Sequence, residues 1–270
     1  MTGVVPTTEF ASIVFGPDGV AVDDEAEAFH EASRLYPNVA PARLSALVAL
    51  GQSAELQQTV ARASRTHDHR PGIELPRPRL PRARFRDLLE DRSSEPPRVR
   101  RPVSLDKLAA VLAAACGART RADGASRRPA PSGGGLYPLE VYAVPLAVSD
   151  LGRSVFHYNP YRHRLTPLQP VRERDVASCL VDPTIAERSA VLLVVTAMFW
   201  RTRFKYGLRG YRFALLEAGH VMQNVVLTTT ALGLAAVPLG GWYDRRADEL
   251  VGANGLDEAA VYLVAIGSRA

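Results

Sequence analysis

Two short motifs carry residue types that could do chemistry. The first, RRPAPSGGGLYP, runs from Arg127 to Pro138, and the second, FKYG, ends at Gly207 about seventy residues later. Successive glycines let a backbone approach a ligand closely because no Cβ atom intervenes, and their N–H groups could donate to a polar ring together with the Ser132 hydroxyl. Arg127 and Arg128 add charge suited to a phosphate. The first motif therefore predicts a ligand-binding turn, with a flexible loop as the alternative.

The second motif places an amine, Lys205, beside a phenol, Tyr206, a pairing suited to moving a proton. Lysine and tyrosine ordinarily have pKa values of about 10.4 and about 10, and burial or nearby charge can bring either nearer to neutrality. The motif follows a long apolar run, and catalytic groups often lie in segments that follow such strands. The alternative interpretation is a surface loop with an exposed cation and an aromatic plug.

A third glycine segment contains Gly240 and Gly241, between a predicted short strand and a predicted helix. N–H groups near the start of a helix can bind an anion or the polar atoms of a flavin. A tight turn without a ligand would use the same residue types, so both interpretations stay open for this segment.

Two clusters have residue types that ligate metals, and we assign a metal to neither. Glu217 and His220 have the spacing of one carboxylate-bridged iron ligand pair, but that chemistry needs two such motifs. We interpret them, with Phe213 and Asn224, as a polar stripe buried at a subunit contact and hydrogen-bonded to itself. The HDH sequence at 67–69 lies in a proline-rich segment and predicts a solvated turn.

Composition excludes several other classes of function. The chain has 270 residues, 47% hydrophobic and 23% charged, with a net charge of +5, which is ordinary for a globular protein. The arginines are scattered and accompany no nucleic-acid-binding signature, so we expect no nucleic-acid partner. No apolar run is long enough to cross a bilayer and no signal-peptide pattern opens the chain, so we expect a cytoplasmic protein without a membrane partner. Cys116 and Cys179 lack paired spacing and predict buried small side chains.

Residues 1–80 predict a helical N-terminal extension and a proline- and arginine-rich arm. Apolar residues recur at helical spacing in Glu25–Tyr36 and again in Pro41–Arg62. Prolines interrupt residues 66–104, which predicts an extended arm with one short helix near Phe85–Glu90.

Residues 81–270 predict one α+β domain. A continuous apolar run, Ala190–Phe199, is typical of a buried central strand. Strands and helices mix without strict alternation, and neither a Gly-x-Gly-x-x-Gly nor a Gly-Lys-Ser/Thr phosphate loop occurs, which argues against a dinucleotide or P-loop fold. The other predicted elements are strands over Leu139–Pro145, Val155–Tyr158, Ala235–Leu239 and Ala260–Ile266, and helices over Leu105–Ala115, Tyr211–Leu232 and Asp244–Val251.

The motifs, in their order and spacing, resemble one known family. The stretches PSGGGLYPLE, FKYG with LRGYRF, LLEAGH and QN, and LGLAAVPLGGWYD resemble the SagB-type dehydrogenases, a branch of the FMN-dependent nitroreductase superfamily. The resemblance covers about residues 80–270. It implies a nitroreductase-like fold, with a central mixed sheet flanked by helices, in a homodimer that binds FMN at each dimer interface.

The resemblance also implies an activity and a site. The family oxidises thiazolines or oxazolines in a peptide to aromatic azoles, so the implied partner is an azoline-containing precursor peptide, and the need for a cyclodehydratase stays open. Lys205 and Tyr206 match the family's catalytic pair, while Arg92 and Ser93 of one subunit would meet the 131–135 turn of the other at the cofactor. The predicted FMN-binding residues are Arg92, Ser93, Arg128, Pro131, Ser132, Gly133, Gly134, Gly135, Gly240, Gly241 and Arg269.

The chain departs from the superfamily's pattern on both sides of the predicted phosphate-binding pair. The superfamily has further arginines where this chain has Asp91 and Glu95. Arg98 or Arg100 would have to substitute for them.

Two alternative functions stay open. One is a different flavin reaction on the same fold that uses NAD(P)H, such as nitro or quinone reduction, and fast reduction of the bound flavin would reveal it. The other is a flavin-free scaffold subunit of a peptide-modifying complex, which would be colourless and still bind a peptide.

Overall fold

The computed structural model describes residues 25–37, 53, 64–120 and 126–269. The helix predicted over Pro41–Arg62 lies outside the described residues, apart from residue 53. The helices are α1 (Glu25–Ala32), α2 (Phe85–Asp91), α3 (Leu105–Cys116), α4 (Glu173–Ala177), α5 (Thr184–Arg188), α6 (Trp200–Tyr206), α7 (Arg209–Ala231) and α8 (Asp244–Val251). The strands are β1 (Ile73–Glu74), β2 (Arg119–Thr120), β3 (Ser126–Arg127), β4 (Leu139–Pro145), β5 (Ser154–Asn159), β6 (Arg164–Pro170), β7 (Val191–Met198), β8 (Leu234–Leu239) and β9 (Glu258–Ser268).

Seven of these strands form one sheet in the order β1-β6-β5-β4-β7-β9-β8. Each neighbouring pair is antiparallel, and β7 pairs along its length with β4 on one side and β9 on the other. Strands β2 and β3 form a separate two-stranded ribbon. The α+β class predicted from the sequence is confirmed. The resemblance implied a mixed sheet, whereas the pairs between the described strands are antiparallel.

Helices cover both faces of this sheet. Val191, Leu193 and Val195 of β7 pack in one hydrophobic cluster with α3 and α7, whereas Leu192 and Val194 pack in a second cluster with α4, α5 and α8. Successive side chains of a strand point to opposite faces, so a strand covered on both sides must be apolar at every position. The buried central strand predicted from the apolar run is therefore confirmed.

The predicted ends of most elements agree with the structure to within about two residues. Ser104 caps α3 by accepting the N–H of Lys107 at 3.4 Å, and β4 and α8 have the predicted bounds. The first helix was expected to reach Tyr36 but ends at Ala32. There the buried Ser33 hydroxyl bonds to Phe29 O and accepts Arg212 Nε of α7, a tertiary contact that the local pattern does not contain.

Strand β6 and helix α6 are among the elements that the sequence prediction lacks. Strand β6 contains Pro167 and Pro170, which discourage a strand prediction because proline cannot donate to a ladder. Its partner β1 pairs only with Arg164 and Leu165, so no donor toward β1 is required at the prolines. Helix α6 was missed because it mixes polar and aromatic residues without apolar periodicity.

Both cysteines, Cys116 and Cys179, are buried and free, as predicted.

Candidate functional site

The glycine motif forms a tight turn with an unusual backbone. Gly133–Gly135 make one turn of 3-10 helix, in which Gly134 and Gly135 have φ values of 65° and 68°. Ser132 Oγ accepts the N–H of Tyr137 at 2.9 Å, which closes the turn. Residues with a Cβ atom rarely adopt such φ values. The glycines are therefore needed for a defined backbone shape and not only for flexibility.

The turn meets the end of α6, about seventy residues later in the chain. A Cβ atom added to Gly134 would lie 2.5 Å from Tyr206 Oη and 2.9 Å from Lys205 Nζ. Both polar end atoms thus lie against the backbone of one glycine. The structure brings together the two motifs that the sequence marked for chemistry.

Lys205 and Tyr206 are the last two residues of α6 and are half-buried. Gly207 ends the helix with a φ of 56°, and its N–H donates to Arg203 O at 2.7 Å. The Lys205 Nζ atom lies 5.2 Å from the centre of the Tyr206 ring. The pair therefore lies at the C-terminal end of a helix and not in the exposed loop of the alternative interpretation.

Phe213 of α7 supports both motifs. A Cβ atom added to Gly133 would lie 3.1 Å from the Phe213 ring. The same ring packs edge-on against Tyr206, with 4.9 Å between ring centroids. Phe213 thereby fixes the turn relative to Tyr206. The helical stripe noted in the sequence contains this residue, but the stripe does not reveal what the ring touches.

The polar stripe predicted on α7 is not hydrogen-bonded to itself. Glu217 is buried and its Oε2 atom has no hydrogen-bond partner in the described residues, whereas His220 is exposed. Burial raises the pKa of Glu217 to about 7, against the opposing effects of the Ser132 hydroxyl and of the charges on Arg128 and Arg201. The interpretation was therefore wrong on the bonding of Glu217, whose polar neighbours come from distant parts of the chain.

Arg128 braces the turn from behind. It is 9% exposed, its backbone N–H donates to Tyr137 Oη at 3.3 Å, and its guanidinium donates to Leu139 O at 3.2 Å. The guanidinium carbon also lies 4.9 Å from the centre of the Tyr137 ring. These contacts hold the two ends of the motif together, and an FMN-binding role for Arg128 stays a prediction.

A cavity of about 500 Å³ opens beside this flank of the turn. Its polar lining includes Arg119, Arg127 and Arg128, and its apolar lining includes Leu80 and Leu227. Arg119 and Arg127 are paired across the β2–β3 ribbon. The cavity has the size and charge to admit an anionic group.

A buried ionic cluster lies on the other side of Arg128 and was missed by sequence reasoning. Glu140 of β4 lies 2.6 Å from Arg201 Nη2 and 2.8 Å from His157 Nε2, and Arg201 donates to Tyr137 O at 3.3 Å. Burial opposes ionisation of Glu140, but the His157 hydrogen bond and the Arg201 charge outweigh it and lower the Glu140 pKa to about 2. The cluster thus links β4, β5 and α6 directly behind the turn.

The arm joins this cluster. Arg65 donates its backbone N–H to Glu140 at 2.8 Å and pairs with Glu258 at 2.7 Å. The turn predicted at 67–69 is present, but His67 is half-buried and packs edge-on against His157, with 5.1 Å between ring centroids. Burial, together with the nearby His157 charge, lowers the His67 pKa to about 4. The predicted turn is therefore present, but its His67 side chain is packed against the core and not solvated.

Strand register places the other predicted cofactor residues at both ends of the sheet. The turn precedes β4 at Leu139, which pairs with Ala197 shortly before α6. Gly240 and Gly241 follow β8 toward this same end of the sheet. They are exposed, and a Cβ atom added to Gly240 would meet nothing within 4 Å. The backbone of Gly240 is therefore open to a ligand, whereas Gly241 lies against Val181 and accepts its N–H at 3.1 Å.

Arg269 lies at the opposite end of the sheet. Its Nε atom donates to Leu234 O at 3.1 Å, at the start of β8. The segment that follows Arg92 and Ser93 reaches the same end, where Arg98 N donates to Ser268 O at 3.4 Å. Two groups of predicted FMN-binding residues are thus separated by the length of β8, about 20 Å. Their meeting on one cofactor stays a prediction.

The two arginines considered as phosphate-binding substitutes differ in availability. Arg100 forms a bidentate pair with Glu173, at 2.7 and 2.6 Å, and also donates to Ala186 O at 2.6 Å. Arg98 is exposed. Arg98 is therefore the better candidate of the two.

The described residues contain no group of three or more metal-ligating side chains close enough to share an ion. Nor do they contain a helix with the length and apolarity needed to span a membrane.

Comparison with known proteins places the chain in a family. Residues 99–268 match the nitroreductase family. A protein of Methanocaldococcus jannaschii named as a nitroreductase is 31% identical over 180 residues, which are 66% of this chain and 89% of that protein. The chain belongs to the nitroreductase family.

Two further relatives are named as processing proteins. Microcin B17-processing protein McbC of Escherichia coli is 35% identical over 127 residues, which are 45% of this chain and 47% of McbC. Trifolitoxin-processing protein TfxB of Rhizobium leguminosarum is 30% identical over 114 residues, which are 40% of this chain and 31% of TfxB. The chain thus spans about half of McbC and about a third of TfxB.

Solved structures confirm the nitroreductase-like fold. A crystal structure from Anabaena variabilis named as a nitroreductase has a TM-score of 0.66 at 20% identity, covering 90% of this chain and 46% of that chain. A chain of the E. coli microcin synthetase McbBCD complex with truncated pro-MccB17 bound has a TM-score of 0.59 at 24% identity, covering 90% and 91%. Likeness at such identities shows fold and not activity.

Proposed function

We propose that this protein is an FMN-dependent dehydrogenase of the SagB type that converts thiazolines or oxazolines in a peptide to thiazoles or oxazoles. The observation that carries the proposal is the contact of the Gly134 backbone with Lys205 Nζ and Tyr206 Oη. The names of McbC and TfxB, which concern the processing of peptide products, support a peptide as the substrate.

The residues at the turn fit a flavin. A Cβ atom added to Gly135 would meet nothing within 4 Å, so this backbone is open to a flat ring, whereas the space at Gly134 is taken by the catalytic pair. Ser132 and the three glycines would hold polar ring atoms, and Arg92 and Arg269 would hold the phosphate. When bound, FMN would supply the hydride acceptor that no amino-acid side chain provides.

The proposed chemistry needs a base beside the turn. The Cα–H of an azoline is acidified by the adjacent C=N and carbonyl groups, and Lys205 Nζ or Tyr206 Oη would remove this proton. A hydride leaves the neighbouring ring carbon, so the ring loses two hydrogens and becomes aromatic. The chain's own task is to align the azoline and to hold the base at the correct atom.

The chemistry also implies partners. An azoline must be formed before it can be oxidised, so a cyclodehydratase that acts on the same peptide would supply the substrate. The likeness to a chain of the McbBCD complex supports an assembly of this kind. We propose a homodimer as well, because two copies would bring the two ends of the sheet to one cofactor.

The purified full-length protein tests the proposal. We expect a flavin absorption spectrum and, with an azoline-containing peptide, a mass loss of about 2 Da per ring. Fast flavin reduction by NAD(P)H without azoline oxidation would instead indicate a different flavin reaction. Colourless protein that still binds the peptide would indicate a scaffold subunit.

A further inference from the structure

One residue at the end of the glycine turn has a strained backbone. Tyr137 has a φ value of 46°, in the left-handed region that residues with a Cβ atom avoid. The other non-glycine residues with positive φ in the described part of the chain are Asp150 and His163, and both types adopt this region more readily than tyrosine. Such strain persists only where the surrounding structure holds a residue in place, and it points to a role for that residue.

Tyr137 is held at its amide, its ring and its hydroxyl by the glycine motif. Its N–H donates to Ser132 Oγ at 2.9 Å, and its Oη atom accepts the N–H of Arg128 at 3.3 Å. The Arg128 guanidinium carbon lies 4.9 Å from the centre of the Tyr137 ring. Because Tyr137 is 7% exposed, solvent competes little for these contacts. One residue thus ties the two ends of the motif together.

The carbonyl of Tyr137 contacts the helix that carries the second motif. Tyr137 O accepts Arg201 Nη1 at 3.3 Å, and the next carbonyl, Pro138 O, accepts the N–H of Met198 at 2.8 Å. Met198 ends β7, and Arg201 lies in the first turn of α6. Two consecutive carbonyls therefore hold the start of the helix that ends with the amine and the phenol.

We propose that Tyr137 is a positioning residue that fixes the glycine turn against α6 and so keeps Gly134 in contact with Lys205 and Tyr206. The inference rests on the proposed function, which assigns the proton transfer to this pair. A different φ value would rotate the Tyr137 amide relative to its carbonyl, so the contacts on one side would be lost. Misplacing the amine and the phenol by about 1 Å would slow proton transfer about 10²-fold.

Single-turnover azole formation by the full-length, FMN-loaded protein tests this role. Tyr137→Phe removes the hydroxyl and keeps the ring, so we expect the rate to fall about tenfold. Tyr137→Ala loses both, so we expect a fall of about 10²-fold. Ser189→Ala is the matched control and should keep the wild-type rate, because its buried hydroxyl bonds to Ile185 O at the end of β7 away from α6. Unchanged rates in both Tyr137 variants would overturn the inference.

A double-mutant cycle separates positioning from a general loss of stability. In a Tyr206→Phe background one of the groups that Tyr137 positions is gone, so Tyr137→Phe should slow the remaining reaction by at most about threefold. Independent effects add as free energies, so their rate losses multiply. A full tenfold further loss in the double variant would therefore overturn the inference.

A second measurement needs no flavin. Hydrogen exchange of the apoprotein should quicken in Tyr137→Ala both over the turn, residues 132–136, and over α6, and should stay unchanged there in Ser189→Ala. Tyr137→Phe gives the same comparison if the alanine variant does not fold. Faster exchange in only one of the two segments, or in neither, would overturn the inference. If the protein binds no FMN, the proposed function fails, while this measurement still decides whether Tyr137 joins the two motifs.

Discussion

Lys205 and Tyr206 place their polar end atoms against the backbone of Gly134, and this contact can be tested with single substitutions. The Gly134 position leaves no room for a Cβ atom beside Tyr206 Oη, whereas the neighbouring Gly135 faces open space with nearly the same φ value. Shortening Lys205 or Tyr206 and adding a methyl group to Gly134 are therefore two independent tests of the same contact.

The amine and the phenol can be removed separately. We expect Lys205→Ala and Tyr206→Phe to retain bound FMN and to lose about 10²- to 10⁴-fold in the rate of azole formation, because each removes a proton-transferring group. Rates are measured by mass analysis on an azoline peptide. Lys107→Ala is the matched control, since that amine donates to Leu232 O beyond the far end of α7. Normal turnover in both site variants would eliminate the pair from the mechanism.

The two glycines make a matched comparison. Both alanine variants place a side chain at positive φ, which costs about 1 kcal/mol. Gly134→Ala must in addition displace Tyr206 Oη, so we expect this variant to keep bound FMN and to lose azole formation. A methyl group on Gly135 would occupy the space proposed for the flavin ring, so we expect Gly135→Ala to lose FMN binding. FMN titrations and single-turnover rates of the FMN-loaded protein separate the two effects. Normal single-turnover rates in Gly134→Ala would show that the Tyr206 position does not matter.

At the scale of elements, the turn is rigid because β4, β5 and α6 are joined behind it. The joint consists of Glu140, His157 and Arg201, all buried. A buried ionic cluster contributes little net stability compared with apolar packing, but breaking it leaves charges unpaired. Its effect is to fix the start of α6 relative to the strand that follows the turn.

This cluster predicts a pH dependence of stability. The folded-state pKa of Glu140, about 2, lies below its ordinary value of 4.5, so the stabilisation is complete above about pH 5 and is lost as pH falls toward 2. We expect Glu140→Gln to lower the free energy of unfolding at neutral pH by about 3 kcal/mol and to weaken its decline in acid. Urea unfolding at several pH values measures both effects. Curves of wild type and Glu140→Gln that stay parallel in acid would contradict this account, and Glu249→Gln is the exposed control.

At the scale of the whole molecule, the length of β8 separates two sets of predicted cofactor residues. Gly240 and Gly241 share an end of the sheet with the turn, whereas Arg269 lies at the other end near Leu234. A second copy of the chain is the simplest way to place an arginine of one set beside a turn of the other. The proposed dimer would therefore contain composite sites.

Mixing inactive subunits tests this composite arrangement. If Arg92 and Lys205 of one site come from different copies, a heterodimer of Arg92→Ala and Lys205→Ala subunits contains one intact site. Random subunit exchange should then restore about a quarter of wild-type azole formation. Native mass spectrometry verifies the exchange. Heterodimers that remain inactive would place both residues in one subunit.

Local patterns in the sequence were sufficient for most of the elements. Alternation predicts β4, the continuous apolar run predicts β7 with both faces covered, and the capping serine predicts the start of α3. These patterns succeed because they depend on the geometry of a strand or helix and on burial, which act over a few residues. Strand β6, which contains Pro167, was missed. A strand accepts proline only where no backbone N–H is needed, and here that depends on how far its partner β1 extends.

The same distinction between local pattern and tertiary contact applies to the candidate site. The sequence by itself determined that Lys205, Tyr206 and the glycine motif were suited to chemistry, because residue type limits which side chains can move a proton or clear space for a ligand. The tertiary structure decided that Gly134 touches both end atoms, that Tyr137 contacts the start of α6 and that Glu140 holds α6 in place. Such contacts join residues 60 or more positions apart in the chain, so they depend on the sheet's register and the packing of α7, which no local pattern specifies.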